Sequence, residues 1–80
     1  MTIGDAMRER ILELCRERHI TVNKLSTISG LTQSTVNNIV NGRNKSATIS
    51  TIKKICDGLD ITIIEFFSSE LFEDLGQELE

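Results

Sequence analysis

Eighty residues suffice for one domain with a modest core and leave little room for an enclosed enzyme cleft. The composition is 39% hydrophobic and 26% charged, with three Phe and no Pro, Trp or Tyr, so the core must be mostly Ile and Leu. The formal net charge of −3 excludes a uniformly basic polypeptide, and no apolar run is long enough to cross a bilayer.

Polar caps and glycines recur at short intervals, without an internal repeat or low-complexity linker, and this rhythm predicts several short helices. The first spans about Gly4 to Arg18, with Thr2 and Asp5 spaced as a capping box and Ile3, Met7, Ile11, Leu14 and Cys15 as its apolar stripe; His19 ends it. On this helix Arg8, Arg10, Arg16 and Arg18 alternate with Glu9, Glu13 and Glu17, the pattern of a salt-bridged solvent face. Thr21 caps a short second helix, Val22 to Ser29, which Gly30 closes. Thr32 caps a third that begins at Gln33, turns Val36 and Ile39 inward and stops at Asn41-Gly42.

After a polar loop from Arg43 to Ala47, Thr48 or Ser50 caps a fourth helix expected to bury Ile49, Ile52, Ile55, Cys56 and Leu59, with Gly58 weakening its last turn. Asp60 stands at its C-cap. Thr62 then caps a fifth helix, Ile63 to Phe67, although its β-branched residues would suit a strand on local propensity alone. Beyond it, Leu71, Leu75 and Leu79 repeat every four residues with Phe72 beside them, as an amphipathic helix requires.

Cys15 and Cys56 lie far apart at apolar helical positions, and His19 is the sole histidine, so no metal or cofactor site is expected. The cysteines read as small buried hydrophobes in a reducing compartment, with a disulfide as the alternative. Asp5 and Glu9 interrupt the basic residues of the N-terminus, which has no secretory pattern, and the expected location is the cytoplasm.

Charge is strongly segregated along the chain. Residues 1 to 54 carry nine bases against four acids, a net of +5, while residues 55 to 80 carry eight acids and no base, a net of −8. Such a chain can offer a basic face to phosphate and hold an acidic end away from it.

Between Val22 and Val40 the spacing of Leu25, Ser26, Gly30, Leu31, Val36 and Ile39 suits two helices crossing at a sharp angle. Ser26 is small at the crossing, Gly30 makes the turn, and Leu31, Val36 and Ile39 seat the second helix. Outward on that helix stand Gln33, Ser34, Thr35, Asn37, Asn38 and Asn41, with no carboxylate among them. Asn, Ser and Thr weaken helices, so something other than helix stability favours them. Gln and Asn can bond adenine bidentately in the major groove, and Ser and Thr can bond base edges or phosphates.

From Arg10 to Phe67 the chain resembles the lambda-repressor-like, Cro-type helix-turn-helix family, also called the XRE family. The segments that carry the resemblance are ILELCRERHIT, KLSTISGLTQSTVNNIVNGR and ATISTIKKICDGLDITIIEFF, in the family's order and spacing. The resemblance implies an all-α, five-helix domain over residues 1–69, with the helix-turn-helix motif at 21–41 in helices 2 and 3 and an acidic, partly apolar extension at 70–80. It implies base reading by Gln33, Ser34, Thr35, Asn37 and Asn38, and phosphate contacts from Asn41, Arg43 and Lys45. Thr21 and Thr32 are further phosphate candidates; Val22 stands where the family often has a phosphate-binding Gln or Asn, and Asn23 beside it is the candidate substitute. Ala47 replaces the usual loop Pro, Ser26 a common Ala and Asp60 a common Gly.

A single small reading head binds few base pairs, so a homodimer on a palindromic double-stranded operator is expected. Ile64, Phe67, Leu71, Phe72 and Leu75 are candidates for the dimer contact; the alternative is a tail folded back over its own core. The functional reading is a sequence-specific transcriptional regulator, a repressor by the resemblance, without membrane or metal partners. The alternative is an antitoxin-like or other protein-interaction module using the apolar, acidic tail. No Gly-rich phosphate loop, HExxH motif or nucleophile partner for His19 supports an enzyme.

Overall fold

Threonine starts every α-helix of the computed structural model, which describes residues 1–42 and 47–79. Among these residues lie α1 (Ile3–Arg18), α2 (Val22–Ser29), α3 (Gln33–Val40), α4 (Ile49–Leu59) and α5 (Ile63–Phe67), followed by a single 3-10 turn, Glu70–Phe72. The caps are Thr2, Thr21, Thr32, Thr48 and Thr62, each extended in backbone. Each hydroxyl accepts from the backbone N–H three residues on, at 3.0–3.2 Å. These bonds satisfy helix-end donors that would otherwise lack a partner. Thr2 with Asp5 and Thr62 with Glu65 complete reciprocal capping boxes. Its hydrogen bonds with Thr2 hold the Asp5 carboxyl below the usual carboxylate range.

Three helix ends share one chemistry: His19, Gly30 and Asp60 adopt the left-handed conformation at φ 54°, 67° and 57°. The next residue, Ile20, Leu31 or Ile61, donates its N–H back five residues to Cys15, Ser26 or Cys56, each at 3.0 Å. It also packs against the core, and a capping threonine follows it directly. The tripeptides HIT, GLT and DIT are therefore complete stop-and-start signals, and they set the sharp corners between α1 and α2, α2 and α3, and α4 and α5.

The core gathers Met7, Ile11, Leu14 and Cys15 of α1, Leu25 of α2, Val36 and Ile39 of α3, Ile52, Ile55, Cys56 and Leu59 of α4 and Phe66 of α5. Both cysteines are free, and burial raises their thiols above the ordinary range, which keeps them protonated. Gly58 has a structural task beyond weakening its turn. A Cβ there would lie 2.8 Å from the Ile28 carbonyl oxygen and 2.7 Å from Ser29 Oγ, so α2 and α4 meet at this glycine. Gly58→Ala is expected to cost about 1–3 kcal/mol by forcing the helices apart. A denaturant midpoint unchanged from wild type would show that the crossing yields freely.

Three sequence expectations are corrected. Ile49 is 66% exposed: it is the first residue of α4, and side chains there lean past the helix end, away from the core. Arg10 does not lie on a solvated face. Its side chain is 11% exposed, and besides pairing with Glu13 it donates to the Phe66 and Glu65 carbonyls at 2.7 and 2.9 Å, tying α1 to the end of α5. Among the described residues the tail forms no amphipathic helix beyond its 3-10 turn. Gly76 and the nearby acids Glu73, Asp74 and Glu78 disfavour one, since carboxylates oppose the dipole at a helix C-terminus. The chain instead returns to α1: Gly76 N–H donates to the Met1 carbonyl at 3.2 Å, and Glu78 Oε2 accepts from the Ile3 N–H at 2.9 Å. Phe72 packs edge-on against Phe67 at 4.8 Å, while Leu79 is left 87% exposed.

Candidate nucleic-acid interface

α2 and α3 cross through the Gly30-Leu31-Thr32 turn. Ser26 is buried at the crossing, and its hydroxyl donates to the Val22 carbonyl at 3.1 Å, so a polar atom is satisfied where the helices touch. Leu31, Val36 and Ile39 then anchor α3 on the core. At about 100° per residue, Gln33, Ser34, Asn37, Asn38 and Asn41 fall within less than half of the α3 circumference, opposite Val36 and Ile39. Gln33, Ser34 and Asn41 are exposed, while Asn37 and Asn38 are half-buried. Thr35 sits at the margin of this face, half-buried, with its hydroxyl 2.8 Å from that of Thr32.

Thr21 and Thr32, both exposed, stand at the N-termini of α2 and α3, and Asn23 is exposed on the first turn of α2. Arg43 and Lys45 lie outside the described residues. Residues 18 to 56 contain six Lys and Arg and no acid, so no carboxylate from the motif itself opposes a polyanion on α3. The dimer candidates separate into two groups. Ile64 is 81% exposed, whereas Phe67, Leu71, Phe72 and Leu75 are half-buried, with Phe67 and Phe72 packed on the chain's own core.

Lys24 is exposed on α2, and Arg8, which the sequence pattern places on a salt-bridged solvent face, brings its guanidinium to the end of α3. No pattern along α1 distinguishes Arg8 from its basic neighbours; only the packing does.

A helix seated on a core through one face, presenting amides and hydroxyls on the other, and preceded by a helix across a tight turn, defines a helix-turn-helix DNA-binding domain. Residues 10–70 match the family model of the Cro/C1-type HTH DNA-binding domain, and the chain belongs to that family. It is 35% identical over 57 residues to the HTH-type transcriptional repressor RghR of Bacillus subtilis (strain 168), covering 71% of this chain and 42% of that protein. The HTH-type transcriptional regulator RghRB of the same organism, described as uncharacterized, is 36% identical over 53 residues, covering 66% of this chain and 38% of its own length. The chain thus spans about two fifths of the curated relatives it matches. The crystal structure of prophage Lp1 protein 11 has the same fold, with a TM-score of 0.81 at 37% identity over 94% of this chain and 99% of that one.

Proposed function

We propose that this chain is a sequence-specific transcriptional regulator, acting as a repressor in the cytoplasm, that lays α3 in the major groove of double-stranded DNA. The observation that carries the reading is the outer face of α3, an acid-free array of amides and hydroxyls on a helix fixed to the core by Val36 and Ile39. Gln33, Ser34, Thr35, Asn37 and Asn38 read bases, with Thr35 at the edge of the contact. Thr21, Asn23, Thr32, Asn41, Arg43 and Lys45 hold phosphates and fix the register. Residues 1–69 form the reading head and 70–80 its extension. Repression is favoured by the similarity to RghR and is the simplest outcome of occupying a promoter. The test is a reporter whose promoter overlaps a site selected by the protein. Expression of the chain is expected to lower transcription; a rise would make it an activator, and no change at a demonstrably occupied site would sink the regulatory reading.

The operator is palindromic and the bound form a homodimer, because one short helix supplies too few base contacts for useful affinity. Ile64, 81% exposed on α5, is the candidate centre of the dimer contact, with Phe67, Leu71, Phe72 and Leu75 as its further candidates. Sedimentation is expected to show a dimer that Ile64→Asp dissociates. A monomer at high micromolar concentration, with or without DNA, would contradict this.

A further inference from the structure

α1 reaches the far end of α3 through one side chain. Gly42 follows the Asn41 cap at φ 75°, and a Cβ on it would lie 3.9 Å from Arg8 Nη1. Arg8 Nε is enclosed, without a hydrogen-bond partner among the described residues, yet the side chain as a whole is 35% exposed. The arginine is thus seated by its inner part. Its ion pair among the described residues is a poor one, joining Nη2 to Oε1 of the adjacent Glu9 at 3.3 Å, with the Glu9 side chain 38% exposed. Neighbouring residues on a helix do not face each other, and such an exposed pair exchanges readily for a stronger anion.

The position matters because Gly42 joins α3 to the basic segment that begins at Arg43. We infer that Arg8 is a DNA-backbone contact: on binding, its guanidinium leaves Glu9 and takes a phosphate beside the C-terminal end of α3. A planar fork of donors suits a phosphate's oxygens, and seating the inner part of the side chain reduces the freedom lost on contact. The inference rests on the reading of α3 as the DNA-facing helix and adds α1 to the interface as a phosphate-holding element.

The test is equilibrium binding over a salt series, to a selected site and to a scrambled duplex, for wild type, Arg8→Gln, Arg8→Lys and Glu9→Gln, with thermal unfolding recorded for each. Arg8→Gln is expected to weaken both duplexes by a similar factor, roughly 5–10-fold at low salt, and to reduce the slope of log K against log salt by about one. Arg8→Lys, which keeps a point charge, should retain the slope. Glu9→Gln is expected to tighten both duplexes. An Arg8→Gln protein that folds normally and keeps the wild-type slope overturns the inference, even if its specificity falls, since Arg8 would then only position α3. A wild type that prefers neither duplex would instead remove the reading of α3 on which the inference rests.

Discussion

Phe66→Ala is expected to cost about 3–5 kcal/mol, most of the stability available to a domain of this size. The ring is fully buried, with Phe67 5.0 Å and Phe72 6.2 Å from it between centroids. It is the point where α5 and the returning tail meet the core. Arg10 holds the same residue's carbonyl, so the backbone cannot readily slide inward to fill the hole. The denaturant midpoint should fall steeply, and DNA binding should be lost only to the extent that the protein unfolds. A loss below about 1 kcal/mol would show that α5 is peripheral to the core, contrary to its burial.

Replacing Gln33 and Asn38 together by alanine should act on recognition and spare the fold. Gln33 is exposed, Asn38 is half-buried, and among the described residues neither makes a side-chain hydrogen bond; alanine also favours the helix. Each bidentate amide-to-base contact discriminates by about 1–3 kcal/mol, so the preference for a selected site over a scrambled duplex should fall by about 2–6 kcal/mol. Affinity for the scrambled duplex should hardly move, because phosphate contacts are untouched. Competition binding at one salt concentration measures both. Equal weakening on both duplexes would mean that these amides hold the backbone and do not read bases.

Much of this architecture is legible in the chain because its boundaries are written locally. Thr21, Thr32 and Thr62 announce helix starts, and Gly30 and Asp60 mark stops, so α2, α3 and α5 fall where their caps place them. For α5 the Thr62–Glu65 capping box outweighs the strand preference of Ile63 and Ile64. The outer face of α3 is legible for the same reason: periodicity assigns Val36 and Ile39 inward and leaves Gln33, Ser34, Asn37, Asn38 and Asn41 on the opposite side. Features made by distant packing are not legible. Arg10 bonds backbone carbonyls 55 and 56 residues away, and Gly58 answers to Ile28 across a helix crossing, so neither leaves a local signal. The leucine repeat of the tail misled because period alone ignores Gly76 and the uncompensated acids around it.

Whether α3 reads base sequence is decided by selecting bound duplexes from a random pool and sequencing them. The expected result is a two-fold symmetric motif with half-sites about one helical turn apart, each half reflecting one copy of α3. A bound fraction with no enriched sequence, held weakly and with a steep salt dependence, would contradict the claim and reduce the interaction to general attraction for phosphate.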